Sequence, residues 1–173
     1  RGIKEKYEYG DKKYRIVMPE RIEEIIQDGQ ALRHCTSYSD IYFARIQRKE
    51  SFIGFLRKAD HPEVPFYTLE IEPDGTLRQK RTTGDKQDKD YQNAVGFIKK
   101  WQKVIQKRLT EEDRNLAKIS AKLRVEEFQK LRADNTRIWH GHLKGKLLAD
   151  VLEADLMEAV LCAEEGIRQE LKE

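Results

Sequence analysis

The chain has 173 residues, 38% apolar and 38% charged, with a net charge of +3. That length allows one domain with a real core, or a domain plus a helical appendage, and the patterned apolar positions argue for a charge-rich surface rather than disorder. No apolar run approaches the roughly 18–20 residues of a transmembrane span, which excludes membrane insertion by a helix, and the modest basic bias falls short of the dense patch of a dedicated nucleic-acid binder.

In chain order, residues 1–13 read as a loose, charged lead-in, and the start at Arg1 rather than Met suggests a fragment, a processed product or a trimmed chain. Tyr14 to Val17 reads as a short strand. Met18-Pro19-Glu20 then begins a helix, with Pro19 near the first helical position, where its missing N–H costs nothing. Ile22, Ile25 and Ile26 share one face of it, and Asp28-Gly29 ends it. Ala31 to Tyr38 follows, placing Arg33, His34, Cys35 and Tyr38 within six positions. Ser39 or Asp40 caps a second helix, with Ile41, Ala44 and Ile46 as its apolar contacts and Arg45, Arg48 and Lys49 making its end basic.

Ser51 to Lys58 reads as a strand whose run Phe52, Ile53, Phe55 and Leu56 is too continuously apolar for one-sided burial, so both faces are covered. Asp60-His61-Pro62 makes a turn. Phe66 to Glu72 alternates cleanly, Tyr67, Leu69 and Ile71 on one side and Thr68, Glu70 and Glu72 on the other. Pro73-Asp74-Gly75 is a hairpin signal, and Thr76 to Thr82 returns as a strand. With those three residues as the loop, Ile71 faces Leu77, Leu69 faces Gln79, Tyr67 faces Arg81, Glu70 faces Arg78 and Thr68 faces Lys80. That register sends Gln79 and Arg81 inward beside Tyr67 and Leu69, where they need polar partners.

A long helix spans about Lys86 to Leu109, with Val95, Ile98, Trp101 and Ile105 buried and Lys99, Lys100, Lys103 and Lys107 forming an adjacent basic stripe. Thr110 as N-cap and Asp113 at the capping-box position start another helix, running to about Arg132 with Leu116, Ile119, Leu123 and Leu131 as anchors. Asp134-Asn135 breaks it. A last helix runs from about Leu143 to Leu171, its broad apolar face (Leu147, Leu148, Val151, Leu152, Leu156, Val160, Ile167) serving as core or as a helix-pairing surface for a homodimer. Charge divides with this architecture: residues 1–110 carry a net +6 and residues 111–173 a net −3. The expected fold is α+β, a small antiparallel sheet of three to four strands packed with helices. Residues 1–109 form the core, and 110–173 a C-terminal helical extension.

Several segments together resemble the C-terminal region of PcfJ-like proteins of conjugative plasmids, integrative elements and phages. They are Leu32-Arg33-His34-Cys35 with Tyr38, Ser51-Phe52-Ile53, Phe55-Leu56-Arg57-Lys58, Pro65-Phe66-Tyr67-Thr68-Leu69-Glu70, Gln79-Lys80-Arg81 and the helix holding Trp101. The resemblance covers about residues 19–105. It implies a mobile-element setting and brings no established enzymatic activity. The family tends to have Val-Gly after its His-Cys pair, where this chain has Thr36-Ser37, and often a second Cys at the position of Lys80. After Gln-x-Arg it tends to have Gly and then Asn, where this chain reads Thr82-Thr83-Gly84-Asp85.

Three chemistries are open to the His34-Cys35 stretch. A cysteine nucleophile needs a thiolate and a base, and adjacent His34 and Cys35 point apart in most backbones, so Cys35 is more readily a small core residue than a nucleophile. Metal binding would draw on His34, Cys35, His61, His140, His142 and Cys162, but no CxxC, HExxH or helical i, i+4 His pair is present, and neither metal nor cofactor is expected. The third is a polar pocket in which His34, Tyr38, Gln79 and Arg81 meet a phosphate, a base or a peptide group; its bland counterpart is a buried network satisfying loop carbonyls. The lysine stripe either tracks a nucleic-acid backbone or is a solvated helix face. The leading expectation is thus a mobile-element accessory protein that binds DNA, RNA or another protein of the same element. The alternative is an enzyme with His34, Cys35, Gln79 and Arg81 as its site. Two distant cysteines without a secretory signal place it in the reducing cytoplasm.

Overall fold

One antiparallel sheet runs in the order β1-β2-β3-β4-β5, formed by Tyr9–Gly10, Tyr14–Val17, Phe52–Lys58, Tyr67–Ile71 and Leu77–Thr82. Helix α1 (Gly2–Tyr7) precedes it, and α2 (Asp90–Gln106) and α3 (Glu111–Ala133) follow. The computed structural model describes residues 2–20, 44–82, 90–139, 141, 143–154 and 156. Of the helix expected from Pro19 to Gly29 only Pro19 and Glu20 are described, outside any helix; the His34-Cys35 stretch lies outside these residues; and of the helix expected after Asp40, residues 44–47 are described as helix and 48–49 as turn. The α+β reading holds, with five strands rather than three to four.

The additional strand comes from the lead-in, which is folded rather than loose. Tyr7 is buried, its hydroxyl donates to the Pro73 carbonyl at 2.9 Å, and its own carbonyl accepts from Trp101 Nε1 at 2.6 Å. Arg108 donates to the carbonyls of Glu5, Lys6 and Glu8, satisfying the C-terminal end of α1.

Both faces of β3 are covered, as its apolar run demands. On one, Leu56 joins Ile16, Tyr67, Leu69, Ile71 and Leu77 under Tyr91, Ala94, Ile98, Trp101 and Ile105 of α2. On the other, Ile53 and Phe55 meet Ile138, Leu148 and Leu152, flanked by Phe128 and Leu131 of α3. Gly54 lies where the first layer is tight: a Cβ there would come within 2.7 Å of Ile71 Cδ1 and 2.9 Å of Met18 Sδ.

The hairpin forms where its sequence signal lies. Gly75 takes φ +92° and donates to the Glu72 carbonyl at 2.8 Å, and Ile71 pairs with Leu77. Beyond that pair a β-bulge intervenes. Glu70 faces Gln79, Leu69 faces Lys80, Thr68 faces Arg81 and Tyr67 faces Thr82. Arg78 is the extra residue. One added position turns every later residue over, so Gln79 shares the face of Glu70 instead of that of Leu69. Lys80 takes the place expected of Gln79 on the α2 side, its Nζ 4.8 Å from the centre of the Tyr91 ring.

Helix α3 opens with the expected capping box: Thr110 Oγ1 accepts from Asp113 N, and Asp113 Oδ2 from Thr110 N. Its docked stripe is only partly the expected one: Leu131 packs against the second cluster, and Leu116 and Leu123 are half-buried. Ile119 is 56% exposed, whereas Asp113, Ala117 and Ser120 are buried. Helix starts later than expected at the end of the chain: residues 143–146 form a turn, Arg137 bridges to Leu147, and the helix is described from residue 148.

Burial acts to raise the Asp113 carboxyl, but hydrogen bonds from Thr110 and Lys6 outweigh it and hold the group below its ordinary value. A carboxylate depressed in the folded state stabilises above its unfolded value, near ~3.9, and loses that contribution as pH falls through the folded one. Asp113→Asn should therefore cost about 1 kcal/mol in chemical denaturation at neutral pH, with the gap to the parent narrowing below pH ~4. An equal gap at pH 3 and pH 7 would show that the charge plays no part.

Candidate functional site

The apolar residues of α2 recur at helical spacing, and docking them turns the opposite side outward. Lys99, Lys100, Lys103 and Lys107 are all exposed there or just beyond its end. From Tyr91 to Thr110 the sequence holds five cations and no acid, in a chain whose charges are otherwise mixed. Arg108, the fifth cation, is turned away to the carbonyls of α1. Lys103 and Lys107 have no ion-pair partner among the described residues. An exposed, one-signed helix face results, whose potential favours anionic groups.

The other face of the sheet carries charge of a different kind. Arg45, from the helical turn over residues 44–47, donates to both carboxylate oxygens of Glu70 at 2.9 Å and to Glu127 of α3 at 2.5 and 2.6 Å. Arg78 reaches Glu50 at 2.7 Å, Glu72 at 3.0 Å and the Ser120 carbonyl at 3.0 Å. Arg124 of α3 holds Glu72 from the far side at 3.0 Å, and Ser51 donates to Glu70 at 2.5 Å. Burial pushes the Glu50 carboxyl up, but hydrogen bonds from Arg78 and Arg48 bring it below its usual range. For Glu72 burial prevails over Arg78 and Arg124, and its carboxyl is raised.

Arg45, Glu50, Glu70, Glu72 and Arg78 are each 5% exposed or less. Their oxygens are held by guanidinium and hydroxyl groups of the described residues. Its effect is mechanical. It ties residues 44–51 and α3 to the sheet through paired charge, beside the apolar contacts of Ile46, Phe128 and Leu131.

Of the four residues expected to form a polar pocket, only Gln79 has a described side chain. It is buried and its Nε2 lies 3.4 Å from Glu70 Oε1, so its inward turn and its need for a partner are met on the α3 side. His34, Cys35 and Tyr38 lie outside the described residues. Arg81 is described only as a backbone position in β5, opposite Thr68. His61 is on the exposed turn near Asp60, while His140, His142 and Cys162 lie outside the described residues. Among the described residues no group of three or more His, Cys, Asp or Glu is placed to hold a metal, and no helix is long and apolar enough to cross a membrane.

Sequence reasoning missed Arg45, Glu50, Arg78 and Glu127. A usable signal existed in α3: Asp113, Ala117, Ser120, Arg124, Glu127 and Leu131 follow alternating four- and three-residue steps, a docking stripe written mainly in polar letters.

A family model described as PcfJ-like protein matches residues 2–95. The match begins ahead of the resemblance at residue 19 and takes in α1 and β1, in keeping with a folded lead-in. No curated protein and no solved structure matches the chain. The chain belongs to the PcfJ-like protein family.

Proposed function

We propose that this PcfJ-like protein is an accessory factor of a mobile genetic element that binds the phosphate backbone of nucleic acid through the outer face of α2. The observation that carries this reading is that Lys99, Lys100, Lys103 and Lys107 are all exposed and fall in a run of sequence, Tyr91 to Thr110, with no acidic residue. Solvated charge runs usually alternate in sign or pair along the helix, because one-signed rows repel themselves. A row kept positive over two turns concentrates potential where phosphates dock, and each contact releases condensed counterions.

The test is fluorescence anisotropy of labelled DNA and RNA over a salt series. The logarithm of the affinity is expected to fall linearly with the logarithm of salt concentration. Reversing Lys99, Lys100 and Lys103 together to Glu should weaken binding about tenfold or more at low salt while the exposed sites leave folding intact. Absence of binding by the parent at low ionic strength would overturn the nucleic-acid reading and leave a protein of the same element as the partner.

A further inference from the structure

The corner where β1 turns into β2 sits against α2. Tyr9 and Tyr14, flanking that turn, pack on Phe97 with ring centres 5.9 and 5.7 Å away. Phe97 is one turn before Lys100 on the same helix. The turn between them carries Lys12 and Lys13, both exposed. Its only acid, Asp11, is spent on local structure: Oδ1 accepts from the backbone N–H of Lys13 at 2.8 Å and of Tyr14 at 2.9 Å. Asp11 also lies within the field of Lys100 and Lys13, which help hold its carboxyl below the ordinary value against the pull of burial.

We infer that this surface takes a nucleic-acid duplex by its backbone, without regard to sequence, and that Lys12 and Lys13 form a second cationic contact beside the α2 stripe. The inference rests on the reading of α2 given above and adds the class of nucleic acid and the extent of the footprint.

Two features favour a duplex over a single strand. The first is the plan of the charges. Lys99, Lys103 and Lys107 form a row about 12 Å long at 1.5 Å per residue, and the β1–β2 turn adds cations to one side of it. A row with a lateral branch matches phosphates on two strands better than the single track of an unpaired one. The second is the state of the aromatic rings. Single-strand binders offer ring faces on which bases stack. Here Tyr9 stacks on Phe97, Phe97 meets Tyr14, Tyr14 stacks on Phe66 at 6.4 Å, and Lys58 covers Phe66 at 4.8 Å. The rings hold the corner together, and the exposed uncharged residues of α2 are Gln92, Asn93 and Gly96.

The experiment compares a DNA duplex, its separated strands and a duplex of unrelated sequence at equal nucleotide concentration. Equal affinity for the two duplexes and clearly weaker binding of the strands are expected. Lys12→Gln with Lys13→Gln should lower the duplex salt slope by about two, one per lost phosphate contact. Asp11→Asn keeps an Oδ1 for both backbone donors while deleting the one negative charge, so duplex binding should tighten severalfold, a gain that no loss of folding can mimic. Strands bound as tightly as duplex would overturn the duplex inference and leave the α2 reading standing. An unchanged slope in the Lys12/Lys13 variant, or no tightening with Asp11→Asn, would remove the turn from the footprint. No binding to any probe would overturn both readings.

Discussion

Arg78→Met should lower stability by about 3–5 kcal/mol, enough to unfold much of the population of a domain whose total is about 5–15 kcal/mol. The size follows from what is left behind. Arg78 is buried and serves Glu50, Glu72 and the carbonyl and hydroxyl of Ser120. Methionine fills part of the space but leaves two buried carboxylates without their shared counter-charge. Glu72 retains Arg124, while Glu50 retains the exposed Arg48 and a longer contact of 3.8 Å to Arg45. Adding Glu72→Gln should restore part of the loss, because one of the stranded charges is then removed. Arg132, whose partners Asp150 and Glu153 are exposed with it, is the control: Arg132→Ala should change stability little. Denaturant melts of the four proteins decide the matter. A loss below about 1 kcal/mol for Arg78→Met would mean that the remaining pairs, Arg45–Glu127 and Arg124–Glu72, with apolar packing suffice to dock α3.

The same residue explains what could and could not be read beforehand. Strands β2 to β5, the Pro73-Asp74-Gly75 turn, the burial of β3 on both faces and the Thr110 cap are local patterns, and local patterns are legible. The bulge is not local. It lets Arg78 and Gln79 both face α3, where Glu50, Glu72 and Ser120 come from three other segments, and no property of residues 77–82 announces those partners. Arg45 was similarly hidden, because a basic residue near a helix end reads as a solvated one. On α3 the eye follows Leu116, Ile119 and Leu123, one position away from the stripe that docks. An apolar pattern misleads where the mating surface is itself ionic. The lysines of α2 were legible as a stripe. The acid-free run of sequence that holds them became informative once the structure put all four outside and gave Arg108 other work.

Tyr7→Ala should cost about 3–5 kcal/mol, as for a large buried aromatic, although the residue lies in a stretch that reads as a tail. Its ring is 1% exposed and packs 5.5 Å from Phe52, and its hydroxyl joins the hairpin at Pro73 to α1. Removing it opens a cavity beneath Trp101 and loosens the carbonyl that accepts from the indole. Tyr7→Phe separates the two effects, since it keeps the ring and loses only the hydroxyl bond, at about 1 kcal/mol. Titration gives an independent check. Burial, with Asp113 and Asp74 nearby, pushes the Tyr7 phenol well above its ordinary value. A phenol raised in the folded state stabilises fully below its unfolded value, near ~10, and that contribution is lost as pH climbs towards the folded one. The parent should therefore lose stability between pH ~9 and ~11, and Tyr7→Phe should lose less over the same interval, so that the two curves converge. Parallel curves would mean that the hydroxyl is open to solvent and that α1 does not seal the hairpin; convergence would establish residues 2–10 as part of the core.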